Sequence, residues 1–353
     1  MSYRRTAVFA FLSLFILAGA AQGQMKAHFI NVGQAESILL EFKTAAVLID
    51  AGGENTGNNR DRDRLIGYLN RFFDRRTDLN RTLRSIIVSH PHIDHTRLIM
   101  DVMMNFRVKS LIDGGGRSGS GIGPLRRARA RATALGIPRI TVRDSDIGAD
   151  GFTPQILGQL SSSASNVDIK FLSGGSRNCE DQNNNSLTVR VEHRGKKFLF
   201  TGDSEEEDAV CVGGQIGNLI ERFDADESHD GLLDVDVYKV GHHGSRNATI
   251  EDLMLAMSPA ISVISAGDRE TREPDEFHAF FFGHPREAAV KLLEEFTTGE
   301  RQPQVTVYTM RGVRRIKDNR VVRQAVYCTC WDNNVVVEVG ADGSLRDVLV
   351  NQQ

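Results

Sequence analysis

Apolar residues recur along this chain in short runs, separated by amphipathic stretches. Ala27 to Val32, Ser37 to Phe42 and Ala45 to Ala51 have strand length, and the last ends in the turn signal Asp50-Ala51-Gly52-Gly53. A polar loop follows, and then Leu65, Leu69, Phe72 and Phe73 fall at helical spacing. Ser85 to Ser89 predicts a buried strand, Leu98, Val102 and Phe106 a helix, and Val108 to Ile112 a further strand before Gly114-Gly115-Gly116. The second half repeats this grammar. Leu187 to Val191 and Lys197 to Thr201 predict a hairpin turning at Arg194-Gly195, with Gly202-Asp203 at its end. Val235 to Val240 predicts a strand ending in Gly241-His242-His243-Gly244; Ile261 to Ser265 and Val305 to Thr309 are further strands, with a helix over Arg286 to Phe296 between them. Two similar halves of strands and helices predict an α/β (α+β) fold: a four-layer αββα sandwich with polar residues gathered at strand ends. No Pro/Ser-rich linker interrupts the chain, so residues 24–312 are expected to form one domain and 313–353 a short C-terminal β extension.

The first residues have a different grammar. Arg4 and Arg5 precede a mostly apolar, uncharged stretch from Ala7 to Ala18, and small residues follow through Gly23. The run is shorter than the roughly 20 residues of a membrane-spanning helix, which predicts a signal peptide over 1–23, export to the periplasm or medium, and no stable membrane insertion. A hydrophobic fraction of 40% with 25% charged residues excludes a polytopic membrane protein and a mostly disordered chain. The formal charge of −3 excludes a protein that coats nucleic acid by bulk charge; a nucleic acid would have to meet a local patch. Four cysteines in the exported part suggest one or two disulfides. Cys179 and Cys211 flank one strand pair and are the favoured bridge, leaving Cys328 and Cys330 as a Cys-x-Cys pair or free.

The strongest chemical signal is His90-Pro91-His92-Ile93-Asp94-His95, directly after a buried strand. Imidazoles and a carboxylate packed so closely at a strand end suit zinc, iron or manganese.

This pattern resembles the hallmark of the metallo-β-lactamase fold superfamily. Phe29 to Ser37, Leu48 to Gly52, Asn184 to Leu187, Phe200 to Asp203, Lys239 to Ser245 and Gly283-His284-Pro285 are similar, in order, to motifs of the hydrolase domain of bacterial competence DNA-uptake channels and related phosphodiesterases. The resemblance implies two metal positions: His90 and His92 at the first, Asp94, His95 and His242 at the second, with Asp203 bridging. It implies one or two zinc ions, with manganese the second candidate, and a water activated to hydroxide near neutral pH. Asp94, His243 and His284 are then the catalytic candidates, the two histidines as proton donors to the leaving group. Asn185, Ser245 and Arg97 are the candidates for substrate contact.

The implied substrate is a phosphodiester or another small anionic ester, with nucleic acid included. The alternatives are an ester, lactone or β-lactam hydrolase, and a metal-stabilised binding module without turnover. The lactam- and lactone-cleaving branches use a further histidine before the bridging acid. Only His193 lies there, in mid-hairpin, where it is expected to face solvent, and Asn184 or Asn185 stands in the corresponding region. Thr96-Arg97 replaces the usual Gly-Gly, Asn31 a usual Asp, and Ala35 a usual Gly. Arg126, Arg127, Arg129 and Arg131 share one helical segment, read as a solvated face more readily than as a phosphate stripe. The Gly119 to Gly123 loop is expected to be a flexible lid.

Overall fold

The computed structural model describes residues 25–53, 59–160, 167–175, 179–224, 231–267, 282–311 and 314–350. The expected signal segment lies outside the described residues. The three apolar runs at the start form β1 (Met25–Phe29), β2 (Ile38–Glu41) and β3 (Ala46–Ile49), an antiparallel meander. Then the grammar changes to strand–helix–strand. β4 (Ser85–Val88), β5 (Leu111–Asp113) and β6 (Arg139–Thr141) are added in parallel beyond β3. Helices α1 (Arg60–Arg75), α2 (Ile99–Asn105) and α3 (Ile122–Ala134) make the crossovers.

The second sheet is built alike. β7 (Val167–Phe171), β8 (Val189–His193) and β9 (Lys196–Phe200) are antiparallel. β10 (Val237–Lys239) and β11 (Ile261–Ile264) then add in parallel through α4 (Gly214–Phe223) and α5 (Glu251–Met257). Period-two alternation decides which side of each strand is buried against what. Ile38, Leu40, Val47 and Ile49 join the core between the sheets, while Leu39 and Leu48 face the layer that holds Leu65, Leu69 and Phe72 of α1. Phe29 of one sheet meets Phe200 of the other with ring centroids 6.2 Å apart. The result is the four-layer αββα sandwich that the alternation predicted.

Three expectations come out differently. Val305 to Thr309 falls inside β12 (Glu300–Arg311), which pairs with β13 (Arg314–Gln324) as a hairpin outside both main sheets. The stretch expected as an appendage supplies strands to the sandwich itself. β14 (Val326–Cys328) extends the second sheet beside β11, and β15 (Asn334–Val339) pairs with β1 and with β16 (Leu345–Val350). Nearby apolar edges reward such closure, a long-range pairing that local pattern does not reveal. His193 is buried at 2% exposure, because β8 lies between β7 and β9. Its register opposite Lys196 sets it at the strand end remote from Asp203, whereas Val189 lies opposite Phe200.

Cys179–Cys211 and Cys328–Cys330 are both disulfides. Among the described residues no helix is long and apolar enough to cross a membrane. The parallel strands β3, β4, β9 and β10 all run toward one edge of the sandwich. Their carboxyl ends carry Asp50, Ser89-His90, Asp203 and His242-His243, the placement at which open α/β sheets hold ligands.

Candidate metal centre

Asp50 leaves β3 in the left-handed region at φ 57°, which turns its carboxylate under the next strand. Its Oδ1 accepts from the Ser89 backbone N–H at 2.7 Å and its Oδ2 from the Ser89 hydroxyl at 2.6 Å. The same Oδ2 lies 2.7 Å from His95 Nδ1, so His95 presents Nε2 to Asp203 Oδ2 at 3.1 Å. A carboxylate behind an imidazole is how metal-binding histidines are oriented and made more basic. The turn Ile93–Thr96 lifts Asp94 and His95 to the cluster, and the backbone N–H groups of Glu36 and Ala51 bind the carbonyls of Asp94 and His95, each at 3.0 Å. Gly52 allows this approach: a Cβ there would lie 1.6 Å from the Asp94 carbonyl oxygen.

Opposite, His242 and His243 are consecutive left-handed residues, at φ 42° and 53°. The turn drives the two rings apart. His243 points inward, its Nδ1 donating to the Ser265 carbonyl at 2.7 Å, its Nε2 3.2 Å from Asp94 Oδ2 and 3.4 Å from Asp203 Oδ2. His242 stays at the cleft mouth with 24% of its side chain exposed. Its Nδ1 is paired with Glu205, and its Nε2 is 4.0 Å from Asp203.

The structure therefore gathers Asp94, His95, Asp203 and His243, with one donor atom from each within 4.8 Å of all the others. It brings His243, expected as a proton donor, into the position expected for His242, and leaves His242 outside. Adjacent residues cannot be told apart by spacing; the left-handed turn decides. His90 and His92 stand beside this group with ring centroids 4.6 Å apart, and His90 Nε2 is 3.9 Å from Asp203 Oδ2.

Charge and orphaned atoms test whether a cation fits. Lys239 is buried between Glu36 and Asp203: its ammonium pairs with Glu36, donates to the Gly202 carbonyl at 2.8 Å and lies 3.7 Å from Asp203 Oδ1. Burial opposes charge on Lys239, but Glu36 and Asp203 outweigh it and raise its pKa. Burial likewise opposes charge on His95 and His243, yet Asp203 and its neighbouring carboxylates lift His95 well above its usual value and His243 to about 9. For Asp203, burial is outweighed by His95 and His243, which hold its carboxyl well below the usual range. Burial keeps His90 and His92 low, hence neutral and able to donate a lone pair, and His90 Nε2 has no hydrogen-bond partner among the described residues. Carboxylates that draw protons onto His95 and His243, where a cation would replace them, and an orphaned imidazole nitrogen fit a divalent metal.

The remaining candidates line the approach. A cavity of about 1030 Å³ opens beside His90, walled by Asn185, Gly114 to Gly116, Arg117, Arg139 and Arg143. Asn185 Oδ1 is buried without a partner among the described residues, while its Nδ2 donates to the Asp181 carbonyl at 2.8 Å. Asn184 instead braces the backbone, accepting from Glu205 N at 2.9 Å and Gln215 N at 3.1 Å. Arg129 faces the same cavity but is tied to both Asp113 oxygens. A second cavity, of about 730 Å³, adjoins His242, Ser245, Phe282 and His284. Ser245 bonds Asn247, and burial, with His242 and His243 nearby, lowers the His284 pKa well below the usual range. Arg97 is half-buried and lines neither cavity.

The loop expected as a lid is instead fastened to the motif. Gly121 N donates to the Pro91 carbonyl at 2.8 Å, and the Thr96 hydroxyl reaches the carbonyls of His92 and Gly121, both at 2.9 Å. A Cβ at Gly121 would lie 2.1 Å from Thr96 Oγ1. Thr96, in place of the usual glycine, is the clamp. Asp50, Glu205 and Lys239 were not assigned roles from sequence. The one signal for Lys239 was a charge set between apolar Tyr238 and Val240 at the end of a buried strand.

Residues 30–158 match the metallo-beta-lactamase superfamily model. ComE operon protein 3 of Bacillus subtilis (strain 168) is 30% identical over 113 residues, 32% of this chain and 12% of that protein. Competence protein ComA of Neisseria gonorrhoeae is 28% identical over 144 residues, 38% of this chain and 18% of that protein. The chain thus spans less than a fifth of the length of these curated relatives. The metallo-beta-lactamase fold protein YhfI from Bacillus subtilis superposes with a TM-score of 0.34 at 13% identity, covering 61% of this chain and 70% of that one. Family match, sandwich and donor cluster support a metallo-β-lactamase fold that carries a group of side chains able to hold a metal ion.

Proposed function

We propose that this chain is an exported, metal-dependent hydrolase that cleaves phosphodiesters. The observation that carries the reading is a buried carboxylate–imidazole cluster beside His90, which itself lines a cavity walled by arginines and glycine backbone, a setting for a phosphoryl anion. In this reading Asp94, His95, Asp203 and His243 hold one ion, and His90 and His92 hold a second beside Asp203, zinc first and manganese next. When bound, the metal supplies Lewis acidity and a nucleophile at neutral pH.

The chain's own residues do the rest. Asp50 fixes His95 with Nε2 toward the cluster. Arg117, Arg139 and Arg143 hold the anion, and the free Asn185 carbonyl oxygen orients a donor on the substrate. Glu205 stands against His242 Nδ1, which leaves Nε2 at the cleft mouth as the proton donor to the leaving group. The two disulfides support an oxidising compartment, in keeping with export.

The test is one substrate panel with zinc or manganese added: bis-p-nitrophenyl phosphate, plasmid DNA, nitrocefin and a lactone. Phosphodiester turnover is expected. Nitrocefin or lactone turnover without it would overturn the substrate class, and no turnover by metal-loaded protein would leave a binding module.

A further inference from the structure

We propose that Gln34 is a positioning residue that fixes His284 in the neutral form carrying its proton on Nε2, so that His284 serves the cleft as a hydrogen-bond donor and keeps its proton. Gln34 follows β1 in a turn begun by Gly33, and both it and His284 are buried, at 2% and 5% exposure. Two contacts of the Gln34 side chain decide the matter. The Gly267 backbone N–H meets its Oε1 at 3.3 Å, and its Nε2 lies 3.2 Å from His284 Nδ1.

Donor and acceptor roles follow without choice. A backbone N–H can only donate, so the atom facing Gly267 must be the amide oxygen. The amide nitrogen then faces His284, and it too can only donate. His284 Nδ1 must therefore accept, which requires its lone pair and leaves the ring proton on Nε2. An imidazolium would set an N–H of the ring against an N–H of the amide. Turning the amide over would set its NH₂ group against the Gly267 N–H. Nε2 has no partner among the described residues, and the ring lines the cavity that it shares with His242, 5.1 Å away between centroids.

The chemical consequence separates the two cleft histidines. A neutral imidazole that gave up its Nε2 proton would become an imidazolate, so His284 is unsuited to protonate a leaving group. Its N–H is suited to an oxygen on which negative charge grows, a contact whose loss typically lowers kcat by about 10²–10³. The proton donor is then His242, which stands beside Glu205. This consequence rests on the hydrolase reading; the tautomer does not.

Long-range ¹H–¹⁵N correlation on the full chain, labelled in histidine and with His284→Gln marking the resonance, reads the tautomer directly. The expected pattern is a pyrrole-like Nε2 and a pyridine-like Nδ1. Gln34→Glu, which presents an acceptor, should move the proton to Nδ1, retain zinc, and lower kcat on bis-p-nitrophenyl phosphate about 10²–10³-fold. Gln34→Met, which neither donates nor accepts strongly, covers the case of a misfolded Glu variant and should erase the tautomer preference. A wild-type His284 protonated at Nδ1, or a tautomer unchanged in both variants, would overturn the proposal. The stated tautomer in a protein that hydrolyses no diester would remove the hydrolase reading and leave the positioning by Gln34 standing.

Discussion

Two histidine motifs meet at Asp203, and they are held in opposite ways. Between Pro91 and His95 each backbone carbonyl accepts a hydrogen bond: from Gly121, His95 or the Thr96 hydroxyl, Arg97, Glu36 and Ala51 in turn. That segment is rigid because its polar backbone is satisfied, so its side chains leave at fixed spacing. His242 and His243 instead occupy consecutive left-handed positions, each costing about 1–3 kcal/mol for a non-glycine residue. Such strain persists because the surroundings determine it: Ser265 takes the His243 ring, and Glu205 takes the His242 ring. A satisfied backbone delivers several ligands of one kind. A strained turn splits two identical neighbours between two tasks, one buried among carboxylates and one at the cleft mouth.

Substitutions can break this contrast, and the largest effect is expected where both motifs converge. Asp203→Ala should abolish turnover and drop metal content below one equivalent, read by elemental analysis of protein purified without chelator. Retained metal would mean that Asp203 does not join the two motifs. Next in size is the strained turn. His242→Ala and Glu205→Gln should keep metal and lose about 10²–10⁴ and somewhat less, respectively, on a diester with a poor leaving group. On bis-p-nitrophenyl phosphate, whose leaving group hardly needs a proton, both losses should be much smaller; equal losses would assign the pair to binding.

A milder effect belongs to the satisfied motif. Asp50→Asn leaves His95 in place but weakens the acceptor behind it, and metal affinity should fall about 10–100-fold in a competition titration. An unchanged affinity would show that the Ser89 and His95 contacts only shape the loop. The smallest effect lies at the rim. Arg117→Ala with Arg143→Ala should raise KM for a single-stranded oligonucleotide several-fold and flatten its salt dependence by about 0.7 in log–log slope per lost phosphate contact. An identical slope would remove the arginine wall from the substrate path.

The same contrast explains what the sequence could and could not reveal. Strands, crossover helices and the sandwich are legible because β2 and β3 are short continuous apolar runs of strand length and burial repeats with helical period along α1. The approach of His90, His95 and Asp203 followed from strand ends that share one edge. The exchange of His242 and His243 was not legible, since φ at two adjacent residues decides it and no side-chain pattern encodes it. Asp50, Gln34 and Glu205 were hidden for another reason. Each acts on a histidine far away in sequence, Gln34 on His284 across 250 positions, and only folding creates the pair. The C-terminal strands were misjudged because an edge strand is defined by the partner that it completes.

In the proposed reading His243 holds the metal and His242 does not. Zinc stoichiometry of His243→Ala and His242→Ala, measured side by side after identical purification and dialysis, tests it most directly. His243→Ala is expected to lose at least one equivalent relative to the unsubstituted chain while His242→Ala retains the full complement. Loss from His242→Ala with retention in His243→Ala would contradict it.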